Sequence, residues 1–221
     1  MDTIDNNIIF CFWTGTNPMS AQRRLCLENM RNTTECIVKL IDVNNLAEYV
    51  LPEAPLHAAY PFLSEVHKAD YLRTYFMHYY GGGYSDIKLQ TGGWLDAFED
   101  MRASDAAVLN GYHEDGPWCV GIKEVRPSWA RLPGNGAYIV RPRTDFTERW
   151  YTTLLKLLDS KLERLKAHPA THPRCVEQDG TGYPFYWQEL LGSIFHVVSH
   201  DYMDRLLFTV PKPVITYTSY A

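Results

Sequence analysis

The chain is short of positive charge. Its 221 residues carry 21 Lys and Arg against 26 Asp and Glu, a formal net charge of -5. A general nucleic-acid binder has the opposite balance, so the composition argues against a nucleic-acid partner. No CxxC pair is present. The five cysteines, Cys11, Cys26, Cys36, Cys119 and Cys175, are odd in number and without a spacing pattern. That argues against a zinc site and a disulfide framework, and for reduced thiols. No apolar run reaches the ~20 residues of a membrane span. The opening MDTIDNNIIFCFW is acidic, and its apolar run is too short for a secretory signal. Internal repeats and low-complexity stretches are also missing. Together these absences predict a soluble cytoplasmic protein with no membrane span.

What the chain has is apolar and aromatic mass. Nearly half of it is hydrophobic (46%), with 15 Tyr and 6 Trp. This suffices for the core of one domain over residues 1–221. Aromatic planes suit nucleobases and sugar faces, although their commonest task is core packing.

The pattern alternates between strand and helix signals. Ile8 to Trp13 and Cys36 to Val43 are apolar runs suited to buried strands. A helix opened by proline is expected over Pro18 to Met30, and a short one near Leu46 to Leu51. Short helical signals follow at Trp94 to Met101. Ala106 to Tyr112 and Trp118 to Val125 read as paired strands around the turn His113 to Pro117, and Gly136 to Arg141 as another strand. Thr144 to Lys166 is the cleanest helix, with Glu148 one residue too far from Thr144 for a capping box. A last helix is expected over Tyr186 to His200 and a last strand over Leu206 to Val210. Such alternation predicts an α/β fold with helices on both faces of the sheet.

The most informative stretch is SEVHKADYLRTYFMHYYGGGYSDIKL, Ser64 to Leu89. Ser64 is placed to cap a helix whose core stripe is Leu72, Tyr75, Phe76 and Tyr79. Asp70 and Arg73 stand three apart on neighbouring faces of that helix. They read either as an exposed surface pair or as site residues. Gly81, Gly82 and Gly83 read either as a plain helix stop or, since three exceed what a stop needs, as close backbone approach to a ligand. Asp86 then falls where a strand meets a loop. It reads as a site carboxylate or as an Asp bonding its own turn.

This stretch resembles the sugar-transferase region of glycosyltransferase family 32 and its relatives. Their pattern is an acidic residue, two apolar residues, Arg, an aromatic-rich helix, Gly-Gly, an aromatic, any residue, then Asp-any-Asp. Here it stands as Asp70, Tyr71, Leu72, Arg73, then Gly82, Gly83, Tyr84, Ser85, Asp86, Ile87 and Lys88. A looser likeness covers IIFCFWTG, Ile8 to Gly15. Small glycosyltransferases of large algal viruses are similar in size. The resemblance implies a GT-A nucleotide-diphospho-sugar transferase fold, with a mixed, mostly parallel central sheet flanked by helices. It implies transfer from a nucleotide diphosphate sugar, in particular a UDP-sugar, to a glycan or glycoprotein acceptor with retention. It also implies a bound Mn2+ or Mg2+ ligated through Asp86.

The departure from the pattern is Lys88, which occupies the second aspartate position. An ammonium cannot ligate a hard cation. Asp86 then anchors the metal with help from another carboxylate or His, or Lys88 pairs with the diphosphate in the metal's place, or Lys88 points away.

The remaining candidates extend the site. Trp13, Thr14 and Gly15 end the first strand and read as nucleotide contacts, with core packing the plainer account of Trp13. Together with Asp70, Arg73 and Asp86 they form the expected nucleotide-binding set. Asn135, in Gly134-Asn135-Gly136, reads as a donor-sugar contact or a plain turn. Gln188 joins it and Gly82 and Gly83 as expected donor-sugar residues. Asp86 and Glu189 are the first catalytic carboxylates to test, followed by Asp179 and Asp201. The aromatic loop Tyr183 to Trp187 reads as an acceptor platform or a hydrophobic staple. The His196/His200 pair has metal-ligand spacing without a third ligand. His113, Glu114 and Asp115 read as a solvated turn or, second, as an acceptor contact.

Two other classes compete with a transferase. A nucleotidyltransferase usually brings a glycine-rich basic loop at its first strand, which Trp13-Thr14-Gly15 lacks. A non-catalytic nucleotide-sugar binding module would explain the broken Asp-any-Asp pair.

Overall fold

The computed structural model describes residue 4 and residues 6–214. Six strands form one sheet: β1 (Ile8–Trp13), β2 (Ile37–Asp42), β3 (Gly82–Ser85), β4 (Leu109–His113), β5 (Pro133–Val140) and β6 (Leu206–Leu207). Their order is β2-β1-β3-β5-β4-β6. β1 runs parallel to β2 and β3, and β4 parallel to β6, while β5 is antiparallel to both its neighbours. The sheet is therefore mixed and mostly parallel, with β5 alone reversed. The helices are α1 (Ala21–Thr33), α2 (Glu65–Tyr79), α3 (Leu95–Ala103), α4 (Asp145–Ala167) and α5 (Gly192–Asp201).

Strand periodicity divides the core between the two faces of the sheet. Along β1, Phe10 and Phe12 enter the larger cluster, with α2, α4 and α5. Ile9 and Cys11 enter the smaller one, with α1 and α3. Helix α2 is buried from Asp70 through His78, because it lies between the sheet and α4. A helix so enclosed has little amphipathic contrast. Its polar residues must therefore find partners inside.

Several expectations are corrected. Helix α1 starts at Ala21, after the proline, because Ser20 caps it by accepting from Arg23 N. β2 is an edge strand, and Ile37 is exposed. Trp118 to Val125 forms no strand. It lies in two 3-10 segments, Pro117–Cys119 and Lys123–Arg131, and β4 pairs with β5 instead. Glu114 of the supposed solvated turn is buried against His196, 3.2 Å from its Nε2. Helix α4 does carry a capping box, made by Thr147 rather than Glu148. Helix α5 begins at Gly192, six residues later than expected, because Trp187 to Leu191 form turns. The last strand is only Leu206–Leu207.

Candidate functional site

The carboxyl ends of β1 and β3 share one edge of the sheet, because the two strands are parallel neighbours. The chain passes from β1 to β2 on one side and returns to β3 on the other. Such a reversal of strand order is where α/β sheets lodge ligands. A cleft of about 680 Å³ opens there, inside the ~300–1,000 Å³ range of small-molecule sites. Trp13, Thr14 and Gly15 line it from the end of β1, and Asp70 and Arg73 from α2. Asp86 and Lys88 follow β3, Asn135 comes from β5, and Gln188 from the turns before α5.

At its centre is a network of two carboxylates and two cations. Tyr84 donates its O–H to Asp86 Oδ1 at 2.6 Å. Arg73 Nη2 lies 3.5 Å from that same oxygen and 3.3 Å from Asp70 Oδ1. Lys88 Nζ stands 2.9 Å from Asp86 Oδ2. Arg73 also donates through Nη1 to the Asn135 carbonyl at 3.0 Å, and its guanidinium lies 4.4 Å above the Tyr84 ring. The side chains of Asp86 and Lys88 are each 14% exposed. The pair at Asp70 and Arg73 is thus a buried anchor and not a surface decoration.

Burial decides the protonation chemistry here. Asp70 is 4% exposed. Loss of water pushes its carboxyl up to about 7, against the pull of Arg73 and with the push of Asp86. Burial also pulls Arg73 down, but Tyr84, Asp70 and Asp86 outweigh it and hold it above its ordinary value. Arg73 stays charged at every working pH.

The amino-side rim is tied together by backbone acceptors. Thr14 Oγ1 donates to the Glu65 carbonyl at 2.7 Å, which joins the end of β1 to the start of α2. Trp13 Nε1 donates to the Asn17 carbonyl at 2.8 Å. Glu65 pairs with Lys68 through Oε1 at 3.0 Å. Its Oε2 is buried without a hydrogen-bond partner, on the cleft lining.

Other expected site residues fall outside the cleft. Gly82 and Gly83 do not line it. Their missing side chains serve the sheet: a Cβ at Gly82 would lie 3.0 Å from the Ile8 carbonyl oxygen, and one at Gly83 3.0 Å from Ile9 Cγ1. Gly81 and Gly82 have φ of 63° and 81°, which turn the chain from α2 into β3. Glu189 is also absent from the lining. Its carboxylate accepts from Lys161 Nζ, and from Tyr186 N at 3.1 Å. It braces the approach to α5 against α4 and is not positioned as a base. Asp201 pairs with Arg149. His196 and His200 do not act together, since His200 faces Asp201 while His196 holds Glu114. Asn135 lies within β5 and not in a turn ahead of it.

The cleft holds groups that the sequence did not flag. Glu65 is one. Arg23 reaches in from α1 and donates to the Ile87 carbonyl at 2.5 Å. Arg174 lies 5.2 Å over the Trp187 ring, and His172 is beside it on the lining. Glu65 follows the Ser64 cap and could have been picked out as a first-turn carboxylate. Arg23, His172 and Arg174 carry no local signal. With Arg73 and Lys88, the lining has four fixed cations, Arg23, Arg73, Lys88 and Arg174, against three carboxylates, Glu65, Asp70 and Asp86.

The donor set does not fit a divalent cation. Such ions take several converging oxygen ligands. Here Asp86 is covered on both oxygens by Tyr84, Arg73 and Lys88, while Asp70 faces Arg73 and Glu65 gives Oε1 to Lys68, which leaves Glu65 Oε2 without a second carboxylate beside it that is not already held by a cation. A second gathering of ligand atoms, His172, Cys175 and Asp179, lies within 4.8 Å. There His172 Nε2 stands 3.0 Å from Asp179 Oδ2, and Cys175 Sγ meets Thr181 Oγ1 at 3.3 Å.

No family model matches the sequence, and no curated protein sequence is similar to it. The fold is more informative. It is similar to that of the PaToxG glycosyltransferase, at a TM-score of 0.52 and 12% identity, over 89% of this chain and 69% of that one. The chain shares the fold of that glycosyltransferase. The expected mixed α/β class is therefore the one observed. All five cysteines are free thiols. Among the described residues, no helix is long and apolar enough to cross a membrane.

Proposed function

We propose that the chain, taken as one catalytic domain over residues 1–221, transfers a sugar from a nucleotide diphosphate sugar to a glycan or glycoprotein acceptor. The observation that carries this is the meeting of Asp70, Arg73, Asp86 and Lys88 in the cleft between the ends of β1 and β3. The glycosyltransferase fold supports it. The family 32 likeness, by contrast, rests on the Asp70-to-Lys88 pattern alone, as does the choice of UDP as the nucleotide. A viral source has only the similarity in size behind it. The five free thiols fit a reducing compartment such as the cytoplasm.

The roles follow from position. The base lies against Trp13, Thr14 and Gly15, whose rim carries an aromatic plane and backbone groups. The ribose hydroxyls donate to Glu65 Oε2, which has no partner of its own. Lys88 and Arg73 face the diphosphate, and Asp86 holds both cations in place. Asn135 and Gln188 face the donor sugar as two-sided amide partners. The bond from sugar C1 to the β-phosphate oxygen breaks, and its electron pair leaves with the nucleoside diphosphate. A new bond forms from C1 to the acceptor hydroxyl oxygen. In the retaining course that hydroxyl proton passes to a departing phosphate oxygen, so no separate carboxylate base is needed. The protein's part is charge stabilisation and orientation.

A screen of nucleotide sugars for slow donor hydrolysis without acceptor tests the reading. Release of nucleoside diphosphate from one donor class, abolished by Asp86→Asn, is the expected result. Tight binding with no turnover of any donor, with or without glycan acceptors, would instead favour a binding module. That second reading draws on the full engagement of both Asp86 oxygens, which leaves that carboxylate poorly placed as a base.

A further inference from the structure

We propose that this cleft binds the diphosphate of its ligand without a divalent cation, with the Lys88 ammonium in the place a metal would take. The inference rests on the nucleotide-site reading above and adds how its charge is met.

Three observations carry it. First, Lys88 Nζ stands 2.9 Å from Asp86 Oδ2, the oxygen not taken by Tyr84. It is already seated on the carboxylate edge that a cation would use, and it lines the cleft. Second, Arg73 approaches the other Asp86 oxygen at 3.5 Å. A dication beside Asp86 would thus face two resident cations across one carboxylate, with like-charge repulsion on both sides. Third, the neighbouring carboxylates are engaged by cations of the protein, Asp70 by Arg73 and Glu65 by Lys68 through Oε1, with Glu65 Oε2 left to the cleft. Asp70 and Asp86 converge on one point, and Arg73 Nη2 already fills it, 3.3 and 3.5 Å from their Oδ1 atoms. The four fixed cations of the lining exceed its three carboxylates by one charge. A cleft of that sign already favours an anion.

Chemistry supports the exchange. A lysine ammonium is a compact charge on a flexible stem and a standard partner of phosphate oxygens. On binding, it bridges Asp86 and the diphosphate, as a bound ion would, and its contact offsets charge on the departing nucleotide. Arg73 stays fixed by Asn135 and Tyr84 and gives a second positive wall.

Isothermal titration of UDP and GDP into the full chain, in EDTA and in Mn2+, tests this. At least one should bind in EDTA with a Kd within about threefold of its value in Mn2+, a difference well under 1.4 kcal/mol. Lys88→Met should weaken that binding by about 10- to 100-fold, the scale of a hydrogen bond to a charged group. Lys88→Arg should keep most of it. Lys88→Asp should bind only when Mn2+ is present. Thermal melting of each variant separates lost binding from lost folding, and the wild-type comparison stands even if Lys88→Met does not fold. Wild-type binding that requires Mn2+ overturns the inference and leaves the nucleotide site intact. Failure of both nucleotides to bind in either condition overturns the nucleotide site and this inference together.

Discussion

Asp86 shares its two oxygens among a phenol, a guanidinium and an ammonium, and that division decides what each neighbour can do. Glu189 is its opposite: a carboxylate buried more deeply but committed to Lys161. Glu189→Gln is therefore expected to leave donor hydrolysis per folded molecule within about twofold, while costing about 1–3 kcal/mol of stability in urea denaturation. Asp86→Asn should remove hydrolysis instead. Asp70 gives a pH signature. Its folded value, about 7, lies above the ordinary 3.8. The fold thus favours the protonated form, and its contribution to stability is complete below pH ~4 and lost as pH rises through about 7. Wild type should lose stability relative to Asp70→Asn across that window, by at most about 1.4 kcal/mol per pH unit. A flat difference between the two proteins would place the Asp70 proton wrongly. Sequence pattern picked out Asp70, Arg73, Asp86 and Lys88 because they sit in one short stretch. It could not show that Glu189 meets Lys161, a contact 28 residues away in the chain.

The junction of α2 and β3 is the element on which the site depends. Gly81 has φ 63°, and a Cβ there would lie 2.4 Å from Pro142 Cδ. Gly81→Ala is expected to cost at least about 1–2 kcal/mol from the left-handed backbone alone, with more from the clash. Chemical denaturation measures it, and a neutral result would mean that the junction is free to shift. This element was readable in sequence because cap, stripe and glycine stop all agree. Its glycines, however, serve helix termination and sheet packing, a difference that spacing cannot express. Trp118 to Val125 was misread for another reason. A short apolar run does not distinguish a strand from packed 3-10 turns, and the run continues to Pro127 inside such a turn. The late start of α5 has a similar cause, since the stretch from Tyr186 looks helical but Trp187 to Leu191 form turns on the cleft side.

At the scale of the molecule, the fold class was legible because alternating strand and helix signals leave few architectures. The rim was legible because Trp13 and Asp86 both follow strand signals. The far wall was not. Arg23, His172 and Arg174 reach the cleft from segments distant in sequence, and only the packing of α1 and the 168–183 loop brings them in. The central claim is that the space between the ends of β1 and β3 holds a nucleotide diphosphate. A co-crystal structure with the diphosphate found by titration tests it most directly. Density for the two phosphates beside Lys88 and Arg73, with the base toward Trp13, is the expected result. A nucleotide seated anywhere else, with this cleft filled only by solvent, would contradict it.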